Sequence, residues 1–194
     1  KRTHTTVTGV PNITALTWNY DNGANGTGRL TGITDQSGTT TYSYDAHGRL
    51  LTKTQITKFN TLSFTQSLSY QYDAMGKLQQ VTYPSGTQIT TTYGADGRPS
   101  ELRINGNALI SNITYHPFGE PKSWVWGNGQ AYTRSFDLDG RLKNHPTGSD
   151  TRTLNYDSAS RITQTADTNP IYNRSFDYDV NNRLTNQSDN TSFK

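Results

Sequence analysis

An aromatic residue followed by aspartate recurs along the chain at intervals of 20 to 28 residues. At this spacing, six positions carry the complete pair, with Tyr or Phe first, and two further positions carry the aromatic residue alone. The eight aromatic positions are Tyr20, Tyr44, Tyr72, Tyr93, Tyr115, Phe136, Tyr156 and Tyr178. Repeats of this length are typical of solenoids and repeat arrays, so the period predicts a modular architecture.

Each copy of the repeat continues with residues that suit a tight hairpin turn, as the segment Tyr44–Leu50 shows most clearly. Its sequence reads Tyr-Asp-Ala-His-Gly-Arg-Leu. Asp45 suits the first position of a type I turn because its carboxylate accepts hydrogen bonds from nearby backbone N–H groups. Gly48 tolerates the positive φ that closes the common three-residue hairpin loop. We therefore predict that Asp45 lies opposite Arg49 and that the first and last residues of the segment also lie opposite each other.

The other copies keep this pattern with a few substitutions. Ser160 and Asn182 replace the glycine in the last two copies, and the fifth copy has Glu120-Pro121 where Arg-Leu would stand. The first copy inserts four residues before its glycine. We assign these positions a structural and not a catalytic role, because a residue that recurs as a turn former is explained by the turn. Besides the aromatic positions, the motif comprises Asp21, Gly28, Arg29, Asp45, Gly48, Arg49, Leu50, Asp73, Gly76, Lys77, Leu78, Gly97, Arg98, Asp137, Gly140, Arg141, Leu142, Asp157, Arg161, Asp179, Arg183 and Leu184.

Alternation divides each hairpin into two faces. Tyr42, Tyr44 and Leu50 fall on one face, which is the pattern of a half-buried strand. The Asp45–Arg49 pair falls on the other face, where we expect an exposed cross-strand salt bridge worth roughly 0.2–1 kcal/mol. A lone hairpin is marginally stable in water, so neighbouring hairpins must pair edge to edge. We predict an all-β fold in which tandem hairpins build a long, twisted, mostly single-layer antiparallel sheet.

The composition agrees with a sheet that has a thin core. Only 30% of the 194 residues are hydrophobic, and the 17 glycines do not bring the apolar share to its usual level. Disorder is the alternative, but a net charge of +3 together with 12 Tyr, 6 Phe and 3 Trp argues against it. The basic residues are scattered and no apolar stretch approaches the length of a membrane span, so we expect neither a nucleic-acid surface nor a transmembrane helix.

The motif Tyr-Asp-x-x-Gly-Arg-Leu, repeated near every 21 residues, resembles the RHS/YD-repeat family. The segments 83–86, 117–119 and 126–129 are also similar to phrases common in its bacterial members. The resemblance covers about residues 14–190 and implies hairpins wound into a curved, spiralling sheet that closes as a hollow shell. Because family shells use many more repeats, we expect one array over residues 1–194, with about eight hairpins, that forms an open arc of such a shell.

The resemblance also implies a biological role. In bacterial polymorphic toxins and insecticidal toxin complexes the shell holds a C-terminal toxin, and in teneurins a related shell serves adhesion. Bacterial members carry an aspartate autoprotease with an Asp-Pro-x-Gly sequence, which is absent here, and no toxin domain is recognisable. We therefore expect a secreted or cell-surface bacterial scaffold without enzymatic activity or cofactor. Its expected partners are the toxin domain of the same parent chain and neighbouring repeats, and unpaired strand edges predict edge-to-edge self-association.

Alternative functions rest on few residues. The four histidines, His4, His47, His116 and His145, lie too far apart in sequence to indicate a metal site, and the chain has no cysteine. Trp124 and Trp126 alternate onto one face, ahead of a predicted type I′ turn at Asn128-Gly129. These two indoles could form a platform for carbohydrate or a cell-surface partner, although packing against neighbouring tyrosines is the favoured interpretation.

Overall fold

The computed structural model describes residues 16–117 and 119–189, so His4, Phe118 and the ends of the predicted array lie outside the described residues. The described part is built from strands, with one short 3-10 helix at Pro170–Tyr172. The strands are β1 (Thr17–Tyr20), β2 (Leu30–Asp35), β3 (Gly38–Tyr44), β4 (Leu50–Phe59), β5 (Leu62–Tyr72), β6 (Leu78–Thr82), β7 (Gln88–Tyr93), β8 (Pro99–Ile104), β9 (Asn107–Tyr115), β10 (Pro121–Trp126), β11 (Ala131–Thr133), β12 (Ser135–Phe136), β13 (Leu142–Thr147), β14 (Asp150–Tyr156), β15 (Ile162–Asp167), β16 (Arg174–Tyr178) and β17 (Leu184–Asp189). This architecture confirms the predicted all-β fold.

The first of two compact units comprises the residues up to 93 together with residues 102–107. Strands β1 to β7 pair in chain order, and each is antiparallel to the next. The β4–β5 hairpin is the longest, with strands of 10 and 11 residues. Pairing of consecutive strands follows directly from tandem hairpins, because each turn reverses the chain beside the strand that it has just left.

The second unit comprises residues 94–101 and the residues from 108 onward. Strands β9, β10 and β11 pair in chain order, and β12 to β17 form a six-stranded sheet that also follows chain order. The run of paired strands is therefore interrupted between Thr133 and Ser135. This interruption follows the fifth copy of the repeat, whose sequence departs from the motif.

The hairpin turns confirm the predicted register. Tyr44 lies opposite Leu50, with a register shift after Ser43, as expected where a residue with positive φ closes a three-residue loop. Gly48 has φ of 80° and donates its backbone N–H to the Asp45 carbonyl oxygen over 2.9 Å. The positions that replace glycine adopt the same conformation, with φ of 61° at Ser160 and 64° at Asn182. The same pairing recurs at Tyr72 with Leu78, Phe136 with Leu142, Tyr156 with Ile162 and Tyr178 with Leu184.

The predicted type I′ turn at Asn128-Gly129 is wrong. Only Gly129 has positive φ, 84°, and its N–H donates to the Trp126 carbonyl oxygen over 2.8 Å. A preceding glycine makes room for a three-residue loop of the kind seen in the repeats, so the Asn-Gly dipeptide occupies its second and third positions. A turn with both central residues at positive φ forms instead at Asn105-Gly106, with φ of 49° and 80°.

The sheets have almost no buried interior. No hydrophobic side chain in the described ranges is fully buried, and the buried polar residues there are Thr31 and Asp167. The low apolar content therefore corresponds to sheets with two wetted faces, as predicted. Residues 16–117 and 119–189 contain no helix that is long and apolar enough to cross a membrane.

Candidate functional site

The repeated aspartate holds its own turn together. The Asp45 carboxylate accepts the backbone N–H groups of His47 and Arg49, each over 2.9 Å, and the Arg49 Nε over 2.6 Å. One carboxylate thus satisfies two loop N–H groups and orients the arginine. The bond from the arginine Nε recurs at 2.7 Å between Asp137 and Arg141, Asp157 and Arg161, and Asp179 and Arg183.

These contacts also keep the carboxylates ionised. The Arg161 backbone N–H lowers the pKa of Asp157 and outweighs the opposing effect of burial, and the Arg161 guanidinium lowers it further. At Asp45 burial is the largest single influence and raises the pKa, but the hydrogen bonds from Arg49 and His47 together hold it below its ordinary value. A general acid must carry a proton near neutral pH, so these carboxylates are unsuited to that role.

The expected exposure of the Asp45–Arg49 pair is wrong. The side chains of Arg49 and Asp45 are only 29% and 15% exposed, because the guanidinium reaches past its own hairpin and lies 4.5 Å from the ring centre of Tyr72 in the next repeat. Such a cation–π contact is worth roughly 0.5–2 kcal/mol, depending on its exposure. The equivalent pairs are Arg29 with Tyr44 (5.7 Å), Lys77 with Tyr93 (4.9 Å), Arg98 with Tyr115 (5.1 Å), Arg141 with Tyr156 (4.7 Å) and Arg161 with Tyr178 (4.9 Å).

The hydroxyl of the same tyrosine reaches the backbone of the preceding repeat. Tyr72 donates to the Leu50 carbonyl oxygen over 3.0 Å. We call this combination the tyrosine clamp. The tyrosine ring lies beneath the Arg or Lys of the preceding repeat, and the tyrosine hydroxyl donates to the backbone carbonyl of the residue directly after that Arg or Lys. The other clamps join Tyr44 to Leu30 (2.6 Å), Tyr93 to Leu78 (2.7 Å), Tyr115 to Pro99 (2.7 Å), Tyr156 to Leu142 (2.8 Å) and Tyr178 to Ile162 (2.9 Å).

The clamp series is interrupted once, at Phe136. Phenylalanine has no hydroxyl to donate, and the preceding repeat has Glu120 and Pro121 at the positions of Arg and Leu. The Phe136 ring packs instead on His116, with ring centres 4.6 Å apart. Both halves of the clamp are thus lost together, at the point where the paired strands are interrupted between β11 and β12.

A second cluster of side chains surrounds the two tryptophans. Trp124 lies opposite Tyr132 on β11 and stacks on it, with ring centres 4.3 Å apart and planes 18° apart. Trp126 meets Trp124 edge-on at 5.5 Å, and the Arg134 guanidinium lies 4.9 Å from the centre of the Trp124 ring. We call Trp124, Trp126, Tyr132 and Arg134 the aromatic cluster. Trp124 is held by packing, whereas Trp126 remains 40% exposed.

The exposed indole borders a shallow groove. Trp126, Leu109, Asn128 and Gln130 line an open space of about 500 Å³, together with Ala108 and Gly127. The sequence indicated the two indoles but not Tyr132, which lies on the following strand, or Arg134, which comes directly after that strand. A three-residue loop between β10 and β11 places Tyr132 opposite Trp124. The loop length would therefore have identified Tyr132 as the partner of Trp124 from the sequence.

Metal chemistry has no support in the described residues, which contain no group of His, Asp or Glu side chains that could hold an ion. His47 lies in a hairpin loop and His116 against Phe136. His145 has its Nδ1 3.5 Å from the Tyr132 hydroxyl. The predicted motif residues therefore come together as hairpin turns and clamps, and the remaining histidines lie apart from one another.

Comparison with known proteins accounts for this repeat. The RHS Repeat family model matches residues 25–61 and 55–88, which contain the Tyr44 repeat and the Tyr72 clamp. Residues 25–88 therefore carry RHS repeats. The chain is also 29% identical over 140 residues to the double-stranded DNA deaminase toxin A of Burkholderia cenocepacia, an alignment that covers 71% of the chain and 9% of the relative.

Solved structures show the same fold. The crystal structure of TcdB2-TccC3 superposes with a TM-score of 0.79 and 14% identity, and covers 92% of the chain. The Photorhabdus luminescens Tc holotoxin pore gives a TM-score of 0.79 with 15% identity over the same share. The chain spans about a tenth of the length of these proteins: 9% of the deaminase toxin, 11% of TcdB2-TccC3 and 10% of the holotoxin chain. The matched part consists of hairpin repeats, and the deaminase named in the relative belongs to that protein.

Proposed function

We propose that this chain is a structural segment of the shell of a secreted bacterial RHS-repeat toxin, and that the shell encloses a toxin carried by the same parent chain. The main observation that supports this proposal is the series of tyrosine clamps. Six of them link successive hairpins through a ring, a cation and a backbone carbonyl, and they do so in sheets without a buried hydrophobic side chain among the described residues. An extended wall needs this kind of neighbour-to-neighbour contact, because it has no common core.

The proposal assigns the repeat motif a purely structural role. Each aspartate is occupied by its own turn, and each repeated arginine or lysine lies over a ring wherever a clamp follows. We propose that the hairpins over residues 14–190 act as one array without enzymatic activity, and that their partners are further repeats and the enclosed toxin. The deaminase activity in the name of the Burkholderia relative would belong to a part outside the region matched here.

Limited proteolysis of a parent protein that carries these repeats and a toxin domain would test encapsulation. We expect the toxin domain to resist cleavage in the wild type and to become accessible when two clamps are removed by Tyr72→Phe and Tyr156→Phe. Tyr83→Phe is the matched control, because Tyr83 lies in a turn outside the clamp series and is 40% exposed. Equal cleavage of the toxin domain in all three proteins would contradict enclosure by this wall.

A second function, carbohydrate or cell-surface binding, is favoured by one observation. Trp126 presents a 40% exposed indole beside the Asn128 and Gln130 side chains in an open groove of about 500 Å³. An aromatic face next to amide groups suits a sugar ring, which offers both C–H and O–H groups. Saturable binding on a glycan array that is lost in Trp126→Ala and kept in Tyr172→Ala would establish this function. Tyr172 is 48% exposed and lies outside the groove, and absence of binding would leave the wall as the function.

A further inference from the structure

Strand β5 is much longer than the strand that follows it. Ser69 to Tyr72 pair with β6, whereas residues 62–68 pair with β4 and with no other strand of the described part. The chain turns away after Thr82 at the end of β6. One side of residues 62–68 therefore presents backbone N–H and C=O groups that are not used within the sheet, at about every second residue. We call residues 62–68 the open edge.

The open edge lacks the features with which proteins usually protect such strands. Its sequence, Leu-Ser-Phe-Thr-Gln-Ser-Leu, contains no charge, no proline and no glycine, and residues 62–67 are all exposed. Native edges are commonly blocked by lysine, proline, bulges or short length. The charges on the neighbouring strand are Lys53 and Lys58, which face Leu68 and Ser63 from β4 and so lie on the paired side. An uncharged seven-residue strand of this kind is a template for another strand.

One face of this hairpin is also apolar. Phe59 lies directly opposite Leu62, and Phe64 follows two residues later on the same face of β5. These side chains are 66%, 58% and 57% exposed, respectively. Strand addition at the edge would extend this face and cover part of its apolar surface, which favours association.

We propose that a second copy of this chain pairs with the open edge, antiparallel and with a two-fold axis at Thr65. Antiparallel pairing of the segment with itself places no like charges opposite each other, because the segment carries none. In this register Leu62 lies opposite Leu68 of the partner subunit on the apolar face, and Ser63 lies opposite Ser67 of the partner subunit on the other. The contact is isologous, so it closes as a dimer and leaves neither edge free.

A cysteine placed on the axis tests the register. The chain contains no cysteine, so Thr65→Cys introduces a single thiol, and the two thiols of a dimer would face each other across the interface. We expect mild oxidation to convert most of the Thr65→Cys protein into a covalent dimer at concentrations where the wild type dimerises. Ser158→Cys, in an exposed turn of another repeat, should stay largely monomeric. Equal cross-linking of the two variants would overturn the proposal.

A charge on the two-fold axis tests the interface without covalent cross-linking. Thr65→Lys would place two ammonium groups opposite each other, so sedimentation analysis should show a rise of about tenfold or more in the dimer Kd. Gln71→Lys adds the same charge on the same strand, at an exposed residue that is already paired with β6, and should dimerise as the wild type does. A wild type that remains monomeric at all concentrations overturns the proposal. So does a dimer that Thr65→Lys leaves unchanged, because its contact would then lie at another edge.

Discussion

The Tyr72 hydroxyl donates a hydrogen bond to the carbonyl oxygen of Leu50, 22 residues earlier in the chain, over 3.0 Å. The ring of the same tyrosine lies beneath Arg49, whose guanidinium also bonds Asp45. One side chain therefore contacts both the backbone and the cation of the preceding hairpin. Contacts of this kind join only neighbours, so the stability of the array should be a sum of single hairpins and of the clamps between them.

Removing one clamp hydroxyl should weaken the array. Tyr72→Phe keeps the ring beneath Arg49 and deletes only the bond to Leu50, so we expect it to lower the free energy of unfolding by about 1 kcal/mol. Urea unfolding followed by tyrosine and tryptophan fluorescence would measure the change. Tyr83→Phe removes an equivalent hydroxyl outside the clamp series and should change stability by less than about 0.5 kcal/mol. Equal losses in the two variants would show that the clamp bond adds nothing.

The clamp cation should matter more inside the array than at its end. Arg49→Ala loses the bond to Asp45 and the contact with Tyr72, whereas Arg183→Ala loses the same type of bond to Asp179 without a described tyrosine ring beneath it. The Arg183 side chain is 75% exposed, against 29% for Arg49. We expect Arg49→Ala to cost about 1 kcal/mol more than Arg183→Ala in urea unfolding. A larger loss in Arg183→Ala would contradict the ranking.

The ion pair between β14 and β15 should be sensitive to the loss of one partner. Arg152 donates from Nε and Nη2 to the Asp167 carboxylate, with a shortest distance of 2.7 Å, and the Asp167 side chain is only 1% exposed. Asp167→Asn leaves the guanidinium without its counter-ion, and because the Arg152 side chain is 36% exposed and partly solvated, we expect a loss of about 1–2 kcal/mol. Thermal unfolding followed by circular dichroism would report it. Asp139→Asn removes a carboxylate that is 72% exposed and should be nearly neutral.

Acid should destabilise the repeats through their aspartates. The Arg183 backbone N–H and guanidinium lower the pKa of Asp179, and the Arg161 backbone N–H is the main cause at Asp157. A carboxyl whose pKa is lower in the folded chain stabilises the fold above its unfolded pKa, and this contribution is lost as the pH falls through the folded value. We expect the urea concentration at the midpoint of unfolding to decrease once the pH drops below about 4. In Asp157→Asn the decline between neutral and acid pH should be smaller than in the wild type, and an unchanged decline would contradict this assignment.

The features that lie within a single hairpin could be predicted from the residues of that hairpin. Asp45 and Gly48 set a loop by local backbone chemistry, and the loop in turn sets Tyr44 opposite Leu50. The error at Asn128-Gly129 has the same local origin, because two loop types compete for one dipeptide and the preceding Gly127 permits the longer loop. The sequence identified Trp124 and Trp126 as a pair. It did not identify the residue opposite Trp124 on the next strand, because that residue depends on the length of the loop between the strands.

Contacts between hairpins were not predictable in the same way. The motif shows an arginine and a tyrosine in most copies, but it does not show that Arg49 reaches the Tyr72 of the next copy. The pair Arg152 and Asp167 carries no repeat signal, since it joins two strands whose register only the folded sheet defines. The open edge likewise depends on where β6 ends beside β5, and a strand sequence alone does not specify its neighbour's length.

The sequence by itself determined that this chain folds as a series of antiparallel hairpins, because turn formation depends on backbone preferences and hydrogen bonds within a few residues. The tertiary structure decided how the hairpins hold one another: the tyrosine clamps, their interruption at Phe136, and the open edge of β5. The physical reason is distance along the chain. A tyrosine hydroxyl and a backbone carbonyl 14 to 22 residues apart meet only when the sheet sets their register, and that register is a property of the assembled strands.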